Sequence, residues 1–105
     1  MTTNEIRLAA ADLIEAHPDA WQQGAYRAPL ESGGYAYCMT GACREAAGYY
    51  AAAVTGAYAA ARAYAATAVK AADADAATHS TPIAWNDAPN RTRAEVVAAM
   101  RTISP

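Results

Sequence analysis

Two cysteines and two histidines are the side chains of this chain best suited to metal binding or to nucleophilic chemistry: Cys38, Cys43, His17 and His79. Structural zinc sites usually draw their ligands in pairs about two to four residues apart. No two of these four residues lie that close to each other. The sequence therefore predicts no metal site, and nothing in it calls for a cofactor.

The two thiols are better explained as buried, reduced side chains. On a helix, which turns about 100° per residue, positions 38 and 43 point to faces about 140° apart, so an internal disulfide is poorly placed. Free cysteines commonly act as small core residues. Cys38 is the better candidate for a reactive thiol, because it precedes a predicted helix start, where the dipole lowers a thiol pKa. A small enzyme with Cys38 as nucleophile, activated by His17, is one functional hypothesis.

The most specific pattern of the chain lies near its C-terminus and comprises Trp85, Asn86, Asp87, Arg91, Thr92 and Glu95. Asn and Asp favour turns in which the side chain bonds back to the nearby main chain. Thr92 and Glu95 have the spacing of a capping box. Arg91 is expected to form an ion pair with Asp87. Ile83 and Trp85 are expected to be buried apolar anchors. The pattern predicts a structural clasp around a buried indole; a polar pocket for an anionic or amide ligand is the alternative.

Three arginines near the C-terminal helix could contact the phosphates of a nucleic acid: Arg91, Arg93 and Arg101. Asp87 and Glu95 dilute this positive charge, and the net charge of the chain is −2. No helix-turn-helix spacing or aromatic RNA motif accompanies the arginines. Nucleic-acid binding is therefore not favoured, and a dimeric DNA-binding regulator is kept as the second hypothesis.

The composition indicates one small domain, residues 1–105, whose core contains few large aliphatic side chains. There are 32 Ala and no Phe, against three Leu, four Ile and four Val. Because an Ala buries little apolar area, such a domain either packs helices closely or shares its core with another copy. Neither a signal peptide nor a membrane span is predicted, so we expect a cytoplasmic protein.

Periodicity predicts a mainly α-helical bundle of about four helices, with a short hairpin or an ordered loop after the first. Thr2 and Glu5 match a capping box that opens a helix ending near Ala16. Residues 20–37 alternate aromatic side chains around a turn, which suggests the hairpin. The terminal helix begins after Thr92 and carries an apolar stripe of Val96, Met100 and Ile103.

Helical composition also covers residues 40–77, and one helix of that length would span about 57 Å at 1.5 Å per residue. That length exceeds what a small domain accommodates, so the helix is expected to break, at Gly48 or at Gly56. Four tyrosines in this stretch are candidates for partner contacts: Tyr49, Tyr50, Tyr58 and Tyr64.

Three segments resemble a family of small uncharacterised proteins from actinobacteria, rhizobia and their phages. They are Trp21-x-x-Gly24-Ala25, Cys38-x-x-Gly41-Ala42 and Trp85-Asn86-Asp87-x-x-x-Arg91-Thr92-x-x-Glu95-Val96. The resemblance covers most of the chain outside its Ala-rich middle. It implies a shared fold and no assigned activity.

The leading hypothesis from the sequence is a non-enzymatic accessory protein, of phage or host origin, that binds a protein partner or a second copy of itself. The absence of a motif for catalysis motivates it, together with an apolar surface too broad to be wholly internal.

Overall fold

The computed structural model describes residues 2–48 and 82–101. Within these ranges the chain forms four helices and one antiparallel hairpin. The elements are α1 (Thr3–Glu15), β1 (Arg27–Pro29), β2 (Tyr35–Tyr37), α2 (Met39–Ala46), α3 (Pro82–Asn86) and α4 (Arg93–Arg101). The prediction of a mainly helical fold with a hairpin after the first helix is confirmed. Gly56 and the four candidate tyrosines Tyr49, Tyr50, Tyr58 and Tyr64 lie outside the described residues, as does His79.

Helix α1 begins at the predicted capping box. The main-chain N–H of Glu5 donates to the Thr2 hydroxyl at 3.1 Å, and the Thr2 N–H donates to the Glu5 carboxylate at 3.0 Å. These bonds satisfy donors that a helix start leaves open, and they lower the pKa of Glu5. Ile6, Ala10 and Ile14 recur at intervals of four residues on one face and are fully buried.

The hairpin pairs Arg27 with Tyr37 and Pro29 with Tyr35. Its turn is closed by bonds between Leu30 and the two glycines that follow, Gly33 and Gly34, both of which have positive φ. Residues 20–22 add a further bonded segment alongside β2, because the N–H of Tyr37 donates to Ala20 and that of Gln22 donates to Tyr37.

Helix α2 is capped by Cys38 and ends just before Gly48, one of the two glycines at which the sequence predicted a break. Gly48 follows it with φ of +80° and donates its N–H to the carbonyl of Glu45. Near the other end, Gly41 lies against the loop before β1. A β-carbon at Gly41 would come within 1.7 Å of the Tyr26 carbonyl oxygen, so this contact requires glycine.

The core lies where α1 packs against α2 and α4. It includes the Val96 and Met100 stripe predicted for α4, whereas Ile103 lies outside the described residues. None of the helices in residues 2–48 and 82–101 has the length and apolar character that crossing a membrane requires. The buried core cluster consists of Ile6, Ala10, Ala11, Ile14, Tyr37, Met39, Ala42, Cys43, Trp85, Val96, Ala99 and Met100.

Candidate functional site

The three sequence segments singled out above meet in space at Asn86, the last residue of α3. This residue has no exposed surface. Its amide contacts the loop after α1, the start of α2 and its own neighbour Asp87. We call Asn86 together with its side-chain partners Trp21, Gln22, Met39 and Asp87 the Asn86 junction.

Every hydrogen-bonding position of the Asn86 amide is used. The oxygen accepts from the Trp21 indole at 2.8 Å and from the Met39 main-chain N–H at 3.0 Å. The nitrogen donates to the Gln22 carbonyl at 3.2 Å and to the Asp87 carboxylate at 2.9 Å. The expected turn, in which Asn86 would bond back to its own main chain, is therefore wrong. The side chain joins distant segments because it is buried where only they can satisfy it.

Asp87 extends the junction to the loop before the hairpin. The Asp87 oxygen that accepts from Asn86 also accepts from the main-chain N–H of Gly24, at 3.2 Å. The Gln23 amide donates to the carbonyls of Asn86 and Ala88, each at 3.0 Å. Asp87 thus binds the loop before the hairpin, whereas Arg91 pairs with another carboxylate.

Trp85 is the buried wedge that the sequence predicts, with 2% of its surface exposed. Ile83, the other expected anchor, is 41% exposed, so that expectation is wrong. The two residues lie on a helix two positions apart, about 200° around its axis, and only one of them can face the core.

Arg91 covers the outer face of the Trp85 ring. Its guanidinium carbon lies 3.9 Å from the ring centre, and its Nε donates to the Trp85 carbonyl at 2.9 Å. Its ion pair is with Glu95, at 3.1 Å, rather than with Asp87. Glu95 and Thr92 form the predicted capping box, and the bonds from Thr92 lower the pKa of Glu95.

The thiols have no chemistry that favours nucleophilic attack. Cys38 does lie at a helix start, and its sulfur accepts from the Gly41 N–H at 3.3 Å. Burial nevertheless raises the pKa of the Cys38 thiol and outweighs the lowering effect of that bond, so the net shift is opposite to the one expected from the helix start. Burial raises the pKa of Cys43 to about 12. Both cysteines are free and buried, as predicted.

The candidate activator of Cys38 makes its own contacts elsewhere. The ring nitrogen Nδ1 of His17 accepts from the main-chain N–H of Asp19, at 3.1 Å, in the loop that follows α1. In the part of the chain that the structure describes, no three side chains of His, Cys, Asp or Glu come together as a metal site would require.

The C-terminal arginines bind within the molecule. Arg93 donates to the carbonyls of Ile14 and His17 at 3.2 and 3.3 Å, which satisfies acceptors at the end of α1. Arg101 pairs with Asp12 at 2.8 Å and with Glu15. The hydrogen bonds that Arg101 donates to these two carboxylates raise the pKa of Arg101.

A cleft of about 710 Å³ opens beside the Asn86 junction. Segments from the hairpin, from α2 and from α3 contribute to its walls, and we call it the Tyr26 cleft. Its described lining residues are Gly24, Ala25, Tyr26, Arg27, Cys38, Arg44, Ile83 and Asp87.

Exposed apolar side chains gather at this cleft. Among the described residues, the large apolar side chains with substantial exposure are Tyr26 at 40%, Ile83 at 41% and Tyr35 at 39%. Two of them line the Tyr26 cleft. Tyr35 adjoins it through Arg27, whose guanidinium carbon lies 4.1 Å from the Tyr35 ring centre.

Sequence reasoning singled out Cys38 and Asp87 but did not join them with Tyr26, Arg44 and Ile83 into one cleft. Tyr26 and Tyr35 belong to the aromatic pattern that predicted the hairpin. That pattern does not indicate whether their rings are buried or exposed. The glycine at position 41 was the available signal for a close approach between α2 and the loop of Tyr26.

Comparison with known proteins places the chain at the level of a family. No curated protein and no solved structure matches it. The expected resemblance to uncharacterised proteins is confirmed in one respect, that the matching family has no assigned function. A family model described as a family of unknown function (DUF6197) matches residues 1–104, and the chain belongs to that family.

Proposed function

We propose that this chain is a non-enzymatic accessory protein that binds a protein partner through the Tyr26 cleft. The observation that carries the proposal is that Tyr26 and Ile83, both exposed, line one concave surface, with the exposed Tyr35 ring beside it against Arg27. Exposed aromatic and large apolar side chains around a cleft are typical of interaction sites. Tyrosine and arginine are also the residue types that most often dominate binding energy at protein interfaces.

The chemistry of the cleft supports binding rather than catalysis. Cys38 lies at its wall, but the residue is only 4% exposed, and burial raises the pKa of its thiol, which opposes formation of the thiolate. Asp87, the carboxylate in the lining of the cleft, accepts through one oxygen from the N–H groups of Gly24 and Asn86.

The internal contacts of the C-terminal arginines favour a protein partner over DNA. A DNA-binding surface needs its cations directed at phosphates. Arg93 and Arg101 are instead bonded to the end of α1, and Arg91 is bonded to Trp85 and Glu95.

Site-specific photo-crosslinking in cells of the source organism tests the proposal. A benzoylphenylalanine placed at Tyr26 is expected to give a discrete crosslinked band, and the same residue placed at Ala94, on the exposed side of α4, is expected to give none. Adding Ile83→Asp should remove the band while the melting temperature stays unchanged. Equal crosslinking from both positions, or no band from Tyr26, would contradict the proposal; a band at twice the chain mass would identify a second copy as the partner.

A further inference from the structure

We infer that the Tyr26 cleft binds an uncharged aromatic side chain that carries a hydrogen-bond donor, the indole of a tryptophan or the phenol of a tyrosine of the partner. Its ring packs against Tyr26 and Ile83, and its N–H or O–H donates to the Asp87 carboxylate. This inference rests on the proposed function and names the chemistry of the partner.

Asp87 brings an open acceptor to the lining of the cleft. Its hydrogen bonds from the Gly24 N–H and from the Asn86 amide both end at Oδ1. Within residues 2–48 and 82–101, no hydrogen bond ends at Oδ2 of Asp87, and this atom is not buried. Because two bonds hold Oδ1 in place, Oδ2 is a preorganised acceptor for a donor that enters the cleft.

Apolar surface surrounds this acceptor. Tyr26 and Ile83 line the same cleft and are 40% and 41% exposed. Burying this surface against a second ring is favourable, and aromatic pairs prefer offset or edge-to-face contact. The cleft volume of about 710 Å³ is in the range of pockets that enclose groups of this size.

The charges described around the cleft favour an uncharged occupant because they balance. Two guanidinium groups stand against two carboxylates: Arg27 and Arg44 against Glu45 and Asp87. A partner carboxylate would be repelled by Asp87, and a partner ammonium group would be repelled by the guanidinium groups. A neutral donor complements the negative Oδ2 of Asp87 without adding a charge.

Tryptophan and tyrosine are the side chains that combine a large apolar ring with a neutral donor at its edge. The protein uses the same combination internally, where the Trp21 indole donates to the Asn86 amide at 2.8 Å. Both residue types are also enriched where binding energy is concentrated at protein interfaces. A nucleic-acid base offers a ring and donors too, but the phosphates attached to it would be repelled by Asp87.

Peptide selection followed by removal of a single donor tests the inference. A phage-displayed dodecapeptide library is selected on the immobilised full-length chain, and the enriched peptides are synthesised with a fluorescent label. Each peptide is also made with its tryptophan methylated on the indole nitrogen, or with O-methyltyrosine in place of tyrosine. Methylation removes the donor and keeps the ring. Fluorescence anisotropy measures the affinity of both forms for the unmodified chain and for its variants.

Three variants separate the acceptor from the apolar surface. Asp87→Asn keeps the oxygen that accepts the two internal bonds and replaces Oδ2 by an amide group that donates. Tyr26→Ala/Ile83→Ala removes the apolar surface. Glu31→Gln, in the hairpin turn, removes a carboxylate outside the described lining and is the matched control. Thermal unfolding checks that each variant is folded, and the methylated peptides test the donor on the unmodified chain whether or not Asp87→Asn folds.

We expect the enriched peptides to contain Trp or Tyr and to bind with little dependence on salt. Methylation of the donor should weaken binding to the unmodified chain about tenfold, as loss of a hydrogen bond to a charged group does. It should have little further effect on binding to Asp87→Asn, which lacks the acceptor. Glu31→Gln should bind as the unmodified chain does, and Tyr26→Ala/Ile83→Ala should bind at least tenfold more weakly.

Peptides that need Tyr26 and Ile83 but tolerate methylation would overturn the inference and leave the proposed function standing, as would charged peptides whose affinity falls steeply with salt. Enriched peptides that depend on none of Tyr26, Ile83 and Asp87 would overturn both, as would the absence of any enriched peptide. Displacement of the peptides by a thymidine oligonucleotide would overturn the assignment to a protein partner.

Discussion

The Asn86 junction and the Tyr26 cleft share Asp87, yet the junction is built around a fully buried side chain and the cleft is lined by exposed ones. In the junction, a fully buried amide has a partner for each of its hydrogen-bonding positions. At the cleft, the side chains of Tyr26, Tyr35 and Ile83 are about 40% exposed. Complete satisfaction of buried polar groups fixes one structure, whereas exposed aromatic and aliphatic side chains lose little by exchanging solvent for a partner. The comparison teaches that the pattern around Trp85 forms a buried support for the neighbouring cleft.

Trp85→Ala against Ile83→Ala gives the largest expected contrast between the two regions. Removing the buried indole should lower the free energy of unfolding by about 3 to 5 kcal/mol, because it leaves a cavity and removes the ring beneath Arg91. Ile83→Ala, two residues earlier on the same helix, should cost less than about 1 kcal/mol. Urea denaturation of both variants measures the difference. Similar losses for the two would show that the wedge and the cleft wall are not distinct.

Asn86→Asp tests the hydrogen bonds of the Asn86 junction with almost no change in side-chain volume. The variant loses the two donors to Gln22 and Asp87 and places two carboxylates together in a buried position. We expect it to cost about 2 to 3 kcal/mol at neutral pH. Asn90→Asp, on the exposed loop before α4, is the matched control and should be nearly neutral.

The pH dependence of Asn86→Asp has a defined sign. Burial and the neighbouring Asp87 raise the folded-state pKa of the introduced carboxyl above its unfolded value. The variant is therefore least destabilised at pH below the unfolded pKa, and it loses stability as the pH rises through the folded pKa. Denaturation curves across the acid range measure this, and a loss independent of pH would contradict a buried site for Asn86.

Thr92→Ala has a smaller expected effect, confined to the start of α4. Loss of the cap should cost about 1 kcal/mol. Because bonds from Thr92 lower the pKa of Glu95, that pKa should rise toward its ordinary value in the variant, which an NMR titration of the Glu95 side chain measures. The stabilisation from Glu95 is present above its unfolded pKa and is lost as the pH falls through the lowered folded pKa. Ser32→Ala in the exposed hairpin turn is the control, and an unchanged Glu95 titration would contradict the capping geometry.

Whether a hydrogen bond could be predicted from the sequence depended on how far apart along the chain the two bonded residues lie. Both capping boxes were predicted because their bonds join residues three positions apart. The Asn86 bonds were not, since they join residues 47 and 65 positions apart, and the local preference of Asn for turns pointed elsewhere.

Two errors have the same physical origin. Arg91 has a carboxylate four residues before it and another four residues after it, so spacing alone does not predict which one forms its ion pair. In the structure Asp87 accepts a hydrogen bond from Gly24, and Arg91 pairs with Glu95. Ile83 and Trp85 both looked like anchors because the short helix α3, which puts them on opposite faces, was interpreted as a turn.

The account depends most on the claim that the Asn86 junction stays closed unless the whole fold opens. Native-state hydrogen exchange of the Met39 main-chain N–H, which donates to the Asn86 amide, tests this directly. We expect this amide to exchange only through global unfolding, with an opening free energy equal to that from denaturation. The Gly24 amide, bonded to Asp87 at the exposed rim, should exchange much faster. Equally fast exchange at Met39 and Gly24 would contradict the account.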